Sequence, residues 1–167
     1  MKWHNHKITT ASMVFAATGT FVSASLAAIG SVLPDLLEAR GVLRHRTYTH
    51  WPYPYVLAGA LMYWSLIYEP TYPLYCMFFV VVGSICHLFE DQLDKYGIPF
   101  GSPTGKRRGF DFYVTGTQQE YLTVSVLLAA AWLVIITRGF GTTEYLRGEA
   151  QHLIDFLGGI VKLIMRG

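Results

Sequence analysis

Residues 73–95, PLYCMFFVVVGSICHLFEDQLDK, decide the fold of this chain. No Asp, Glu, Lys or Arg occurs between Pro70 and Phe89, and about 20 apolar residues are enough for a helix to cross a bilayer. Pro73 lies at the start of this run and Gly97 follows its end, which is typical of the two ends of a helix. The stretch therefore predicts a membrane-spanning helix with ionisable side chains at one end.

Three further segments also lack charged residues. They cover residues 8–34, 47–68 and 121–137. Of the 167 residues in the chain, 52% are hydrophobic and 14% are charged, whereas a typical soluble domain has about 25% charged residues. Four such segments leave too little polar surface for a water-soluble fold. We therefore expect an all-α, multi-helix integral membrane protein, and the net charge of +2 gives no reason to expect nucleic-acid binding.

The first charge-free segment, residues 8–34, allows two arrangements. Thr18-Gly19-Thr20 interrupts it, so it forms either one long span or a hairpin of two short helices, near residues 7–17 and 20–33. Each short helix would be too short to cross a bilayer alone. The hairpin places more of the basic residues on one side of the membrane, as the positive-inside rule describes for the cytoplasmic side. We therefore favour an N-terminal short-helix hairpin followed by about three full spans.

The end of the chain has a different pattern. Between Glu144 and Arg166, apolar residues recur at helical spacing on one stripe, and charged residues lie on the opposite face. This pattern is typical of an amphipathic interfacial helix, or of a helix that docks to a protein partner. We therefore divide the chain into a membrane-embedded domain, residues 1–140, and an amphipathic C-terminal helix, residues 141–167.

Ionisable side chains concentrate where the predicted spans end. His87 and Asp91 are four residues apart, so they project from the same face of their helix. Such a pair suits a divalent metal, because an imidazole nitrogen and a carboxylate oxygen then converge. A helix end that enters the headgroup region would account for the same two residues. Asp35, after Leu33-Pro34, lies at another membrane exit, where it would bind metal or cap the next helix.

The hairpin topology brings five candidate metal ligands to the same face of the membrane. They are His6, Asp35, His50, His87 and Asp91. Three His and two Asp side chains are a suitable set for zinc or manganese. Basic residues flank these motifs and would either anchor the chain at the membrane surface or bind phosphate oxygens. They are Arg44, Arg46, Lys106, Arg107 and Arg108.

These motifs, taken in order, resemble those of the YdjM-type family of membrane-bound metal-dependent hydrolases. The Leu-Pro-Asp motif of that family matches Gly30-Ser-Val-Leu-Pro-Asp35, and its His-Arg-x-x-Thr-His motif matches His45-Arg-Thr-Tyr-Thr-His50. Its His-x-x-x-Asp motif, with a following Gly-Ile-Pro, matches His87-x-x-x-Asp91 and Tyr96-Gly-Ile-Pro-Phe100. An early His of the family matches His6. The resemblance covers residues 6–122.

The family is in turn distantly similar to zinc-dependent phospholipases C, and this similarity implies a set of ligands. Two Asp and two His would hold a first divalent ion, zinc or alternatively manganese, and they are Asp35, His50, His87 and Asp91. His6 and the shared Asp91 would help to hold a second ion, and Glu120 would add a carboxylate.

The sequence departs from the family pattern at two positions. Leu37 stands where the family often has a second Asp, and Trp51 stands where a Ser often follows the Thr-His pair. The His residues that complete a three-zinc cluster in the phospholipases have no evident counterpart. We therefore expect one or two ions rather than three.

We expect a membrane-bound metal-dependent hydrolase, a phosphoesterase that acts on a lipid or headgroup phosphate through a metal-activated water. Asp35 or Asp91 would orient that water, and the flanking basic residues would hold the phosphate. The alternative is a non-enzymatic membrane protein with a structural metal site and a tail helix that binds a protein partner. We expect the protein in the bacterial inner membrane, with the metal site facing the cytoplasm and membrane lipid as its surroundings.

Overall fold

The computed structural model describes residues 1–38 and 46–165. Within these ranges the chain is almost entirely helical, which confirms the expected all-α class. The helices are α1 (Trp3–Thr18), α2 (Phe21–Gly30), α3 (Leu33–Glu38), α4 (Pro52–Tyr68), α5 (Tyr72–Leu93), α6 (Gln118–Thr137) and α7 (Thr143–Ile164). A 3-10 turn, Tyr48–His50, precedes α4. Two short antiparallel strands, β1 (Ile98–Pro99) and β2 (Arg107–Arg108), pair in the loop between α5 and α6.

The N-terminal hairpin is confirmed. Gly19 follows the end of α1 with a left-handed φ of 76°, which glycine adopts without the steric cost of a side chain. Its N–H donates to the Phe15 carbonyl at 2.7 Å and closes the last turn of α1. Thr20 then caps α2, because its hydroxyl accepts a hydrogen bond from Ser23 N at 3.2 Å. The chain therefore reverses between Thr18 and Phe21, and α1 packs against α2.

The second arm of the hairpin is longer than expected. After Ser31 and Val32 the chain resumes a helical course as α3, because Pro34 fits the first turn of a helix without a hydrogen-bonding N–H. Together α2 and α3 form an apolar segment, Phe21–Glu38, of 18 residues, which is long enough to cross a membrane. The expectation that this arm is too short to span does not hold.

Three segments of the described chain are long and apolar enough to cross a membrane, which confirms the expected number of spans. They are Phe21–Glu38, Tyr72–Leu93 and Gln118–Thr137. The set differs from the expected one, because α4 has only 17 residues. Its length is therefore about 25 Å, somewhat less than the hydrocarbon core of a bilayer. Large apolar side chains on α4 and α6 are nevertheless exposed, as expected for helices that face lipid, and they include Leu57, Leu61, Trp64, Leu122 and Leu133.

Helices α2 and α5 approach closely at two glycines. A Cβ added to Gly30 would lie 2.0 Å from the Val80 carbonyl oxygen, and one added to Gly83 would lie 2.0 Å from the Ala27 carbonyl oxygen. Ser84 strengthens the crossing by donating a hydrogen bond to the Gly30 carbonyl at 3.0 Å. Small residues allow such backbone contact between membrane helices. The contact fixes the end of α2 beside the middle of α5, and hence α3 beside the last turns of α5.

The C-terminal helix α7 docks at the opposite end of the bundle. Glu149 accepts a hydrogen bond from Phe21 N at 3.2 Å, and the Tyr145 hydroxyl donates to the Gly19 carbonyl at 2.9 Å. The division of the chain at residues 140 and 141 remains a prediction. The outer face of α7 exposes Ile154, Leu157 and Val161.

The hairpin gives a topology that labelling can test. In a background with Cys76 and Cys86 replaced by Ala, cysteines introduced at His4 and Lys106 should react with a membrane-impermeant maleimide from the same side. A cysteine introduced at Glu69, in the turn between α4 and α5, should react from the other side. If the His4 cysteine instead reacts together with the Glu69 cysteine, the first segment crosses the membrane once and the hairpin is wrong.

The glycine contact predicts an effect on stability. Gly83→Ala should destabilise the protein by about 1–3 kcal/mol, because the added Cβ meets a backbone carbonyl that cannot move aside. Thermal unfolding in detergent measures the change. Gly158→Ala in α7 is the matched control, since nothing lies within 4 Å of its added Cβ and alanine favours the helix. Equal melting temperatures for Gly83→Ala and the unmodified chain would contradict the close approach.

Candidate metal centre

Four ligand atoms converge at the end of the bundle where α3, the 3-10 turn and α5 meet. His50 Nε2 lies 3.2 Å from His87 Nε2, 3.4 Å from Asp35 Oδ1 and 3.4 Å from Asp91 Oδ2. His87 Nε2 lies 3.7 Å from Asp35 Oδ1 and 3.6 Å from Asp91 Oδ2. All four residues were expected from the sequence as ligands of a first ion, and the structure brings them together.

Five of the six distances among these four atoms can be compared with the edges of a tetrahedral site. A tetrahedron whose centre lies about 2.0–2.2 Å from each ligand atom, as in zinc sites, has edges of about 3.3–3.6 Å. These five distances run from 3.2 to 3.7 Å, whereas Asp35 and Asp91 belong to separate groups of converging ligand atoms. A shared cation accounts for these five distances, as do ion pairs between the two imidazoles and the two carboxylates. Two nitrogens and two carboxylate oxygens are also a donor set that zinc accepts.

Carboxylates behind two histidines fix the orientation of the rings. His50 Nδ1 lies 3.0 Å from Glu38 Oε1, and His6 Nδ1 makes a short contact with Glu90 Oε2. A carboxylate on Nδ1 holds the imidazole in the tautomer whose Nε2 faces an ion, and it raises the basicity of the ring. Both rings are therefore arranged as metal-ligating histidines usually are.

Sequence reasoning missed both of these glutamates. Glu90 is fully buried and accepts hydrogen bonds from the hydroxyls of Thr9 at 2.6 Å and Thr10 at 3.0 Å. Glu38 accepts a hydrogen bond from Arg46 N at 2.9 Å. The sequence did contain an indication for Glu90. A carboxylate one turn after His87 in an apolar helix is costly unless it finds a partner inside the bundle.

His6, the fifth expected ligand, lies beside the four-atom set. With His87 and Asp91 it forms a second group of ligand atoms that all lie within 4.8 Å of one another. Its Nε2 lies 3.5 Å from Asp91 Oδ1, and it makes no hydrogen bond among the residues that the structure describes. His6 and His50 therefore approach different oxygens of Asp91.

The surroundings of His50 attract positive charge. Burial lowers the pKa of this histidine, but its hydrogen bonds with Asp35, Asp91 and Glu38 outweigh burial and raise the pKa to about 10. Three carboxylates around one ring favour a cation at this position, whether a proton or a metal ion.

A pocket opens onto the centre from the side of Asp35. The Asp35 side chain is 14% exposed, whereas those of His50, His87 and Asp91 are 2% exposed or less. The pocket has a volume of about 230 Å³, and its lining residues are Met1, Asp35, Arg46, Asp94, Tyr96, Arg107 and Thr115. An ion bound by the four ligands would therefore be reached past Asp35, from a pocket that Arg46 and Arg107 also line.

The basic residues expected to bind phosphate fall into separate groups. Arg46 and Arg107 line the pocket beside Asp35, whereas Lys106 and Arg108 line a second pocket of about 420 Å³. Arg107 and Arg108 line different pockets because they are successive residues of β2, and successive side chains of a strand point to opposite faces. Arg44 lies outside the described residues.

Glu120 stands apart from both groups of converging ligand atoms. Its Oε1 accepts hydrogen bonds from Lys2 N at 2.7 Å and Asn5 Nδ2 at 2.6 Å, and its Oε2 accepts one from Gly116 N at 2.6 Å. These bonds tie the start of α1 to the start of α6 and so help to place His6. The role of Glu120 as a metal ligand remains a prediction.

The geometry predicts graded losses of metal. Replacing both His87 and Asp91 by Ala should remove bound zinc, as measured by elemental analysis of purified protein. Glu38→Gln should weaken zinc affinity by about 10- to 100-fold, because the neutral amide orients His50 less well. Glu149→Gln is the matched control: Glu149 contacts His152 at 3.2 Å, far from the centre, and affinity should not change. Stoichiometric metal in the double Ala variant would rule out this centre.

Comparison with known proteins identifies the family. The family described as YdjM inner membrane protein matches residues 1–150, most of the chain, including the start of α7. No significant match was found among curated proteins or among solved structures. The match and the apolar spans together show an integral membrane protein, while hydrolysis and the similarity to phospholipases C remain predictions. The chain belongs to the YdjM family of inner membrane proteins.

Proposed function

We propose that this chain is a membrane-bound metal-dependent phosphoesterase that acts on a lipid or headgroup phosphate. One observation carries the proposal: Asp35, one of the four candidate ligands, lines a pocket together with Arg46 and Arg107. A metal centre alone is compatible with many roles. A metal centre with two guanidinium groups at its entrance fits a substrate that carries a phosphate.

The residues present fit a divalent ion, and we propose zinc, with manganese as the alternative. Asp35, His50, His87 and Asp91 would hold it. When bound, such an ion polarises a phosphoryl oxygen and acidifies a coordinated water, which is the chemistry that phosphate hydrolysis requires.

The side chains of the pocket would position the substrate. Each guanidinium offers planar, paired N–H donors that match two phosphate oxygens. Asp35 is the carboxylate exposed to the pocket, so it is the group placed to orient a water or to accept its proton. Asp91 is buried, and its two oxygens face histidines and Arg46. Its role is therefore to hold the centre together.

The loop between α5 and α6 supports a substrate that lies in the membrane. It joins the ends of two candidate spans, so it lies at the membrane surface. Aromatic rings at headgroup depth and cations near anionic lipid are typical of such a position. Exposed residues of both kinds occur in this loop, and they are Tyr96, Phe100, Phe110, Phe112, Lys106 and Arg108.

The positive-inside rule supports a cytoplasmic orientation of the metal centre. More cations lie at this end of the described chain than at the end where α7 docks, and cytoplasmic segments carry an excess of Lys and Arg. The outer face of α7 would lie on the opposite membrane surface or bind a protein partner.

A structural metal centre is the second candidate function. Four protein ligands would leave no position for water on a four-coordinate ion, which is typical of structural zinc sites. Catalysis would then require an additional coordination position for water, which zinc can provide by becoming five-coordinate. Activity measurements decide between the two candidates.

Hydrolysis is tested with purified, zinc-loaded protein and a panel of phospholipids, lipid phosphates and generic phosphodiesters, in detergent and in bilayers. We expect turnover that a chelator removes and that Asp35→Asn also removes, because Asp35 is the candidate ligand that lines the pocket. Arg107→Ala should lower kcat/KM by about 10- to 100-fold, because it removes a charged hydrogen-bond donor to the phosphate.

Arg108→Ala is the matched control, since Arg108 lines the other pocket and should leave kcat/KM unchanged. If no substrate of the panel is hydrolysed by protein that contains stoichiometric metal, the structural role replaces the catalytic one.

A further inference from the structure

The two oxygens of Asp91 have different surroundings. Oδ2 faces the four-ligand centre, 3.4 Å from His50 Nε2 and 3.6 Å from His87 Nε2. Oδ1 points the other way, 3.5 Å from His6 Nε2 and 3.0 Å from Arg46 Nη2. A carboxylate with this arrangement is suited to bridge two cations. What occupies the Oδ1 side therefore decides how many ions the chain binds.

Part of a second metal site is present on the Oδ1 side. The Glu90 carboxylate forms a hydrogen bond with His6 Nδ1, so the Nε2 atom of the same ring is directed towards Asp91. That nitrogen is fully buried and forms no hydrogen bond among the described residues. His6 Nε2 and Asp91 Oδ1 would be two ligands of a second ion.

Arg46 already places a positive charge at this position. Its side chain is 8% exposed, and its Nη1 also lies 3.7 Å from Asp94 Oδ1. The backbone of Arg46 has a left-handed φ of 55°, which is uncommon for a residue other than glycine. Its backbone N–H donates a hydrogen bond to Glu38 Oε1 at 2.9 Å. The Met1 nitrogen lies 3.1 Å from the same Asp91 oxygen. The main chain thus directs the guanidinium inward, against Asp91 Oδ1.

We infer that the chain holds a single divalent ion, and that the Arg46 guanidinium takes the place of a second one. The inference rests on the metal centre of the proposed function and goes beyond it. A divalent ion on Asp91 Oδ1 would face a guanidinium in contact with the same oxygen, and because both side chains are buried the repulsion would be weakly screened. Arg46 also lines the pocket, so an entering phosphate meets the ion on one side and the guanidinium on the other.

The number of bound ions tests this inference without an activity measurement. Metal-free protein is dialysed against excess zinc, and bound zinc per chain is measured by elemental analysis. We expect one ion in the unmodified chain and two in Arg46→Met, where a second ion needs to displace only the Met1 ammonium from Asp91 Oδ1. Adding His6→Ala to Arg46→Met should return the value to one. Arg107→Met is the control: it removes a pocket arginine that makes no ion pair among the described residues, and should leave one ion.

Each outcome distinguishes the inference from the proposed function. Two ions in the unmodified chain would overturn the inference and leave the metal centre intact. No ion in the unmodified chain would overturn both. A single ion in folded Arg46→Met would show that Arg46 does not exclude the second one. If Arg46→Met does not fold, His6→Ala alone decides the matter: it should retain one ion, and loss of that ion would make His6 a ligand of it and overturn the inference.

Discussion

The buried carboxylate of Asp91 is the group on which the arrangement of the other elements depends. A charge at the end of a membrane span is costly unless other groups compensate it. Its partners come from widely separated parts of the chain: His6 on α1, Arg46 and His50 before α4, and His87 on its own helix. Each partner can reach Asp91 only if its element packs against the last turns of α5. The ion pairs and hydrogen bonds of the Asp91 carboxylate therefore fix the relative positions of most helices of the bundle.

Backbone packing makes this convergence compatible with the membrane. The reversal at Gly19 returns the chain to the end where it started, so His6 and Asp35 lie together. The contacts at Gly30 and Gly83 then allow α2 and α5 to approach without intervening side chains. Because α3 continues directly from α2, this contact also sets the distance from Asp35 to His87. Residues with no polar side chain thus determine the geometry of the polar site.

The sequence predicted the hairpin, the number of spans and the five converging residues, because helical spacing and the ends of apolar runs are local features. It did not predict that Glu38 and Glu90 orient histidines, since each pairing depends on how separate elements meet. Helix α3 was missed because Pro34 ordinarily suggests an end, whereas here it begins a new helix. The opposite directions of Arg107 and Arg108 follow from a two-residue strand, which no periodic pattern in the sequence indicates.

The charges around the centre also limit what it binds. Asp35, Asp91 and Glu38 surround His50 with negative charge, while Arg46, Arg107 and Met1 line the pocket together with Asp35 and Asp94. A cation is therefore favoured at the inner end, and an anion is favoured at the entrance. This separation of charge over a few ångströms would be of little use to a metal that only holds loops together. It would suit a centre that brings a divalent ion and a phosphate into contact, as the proposed function requires.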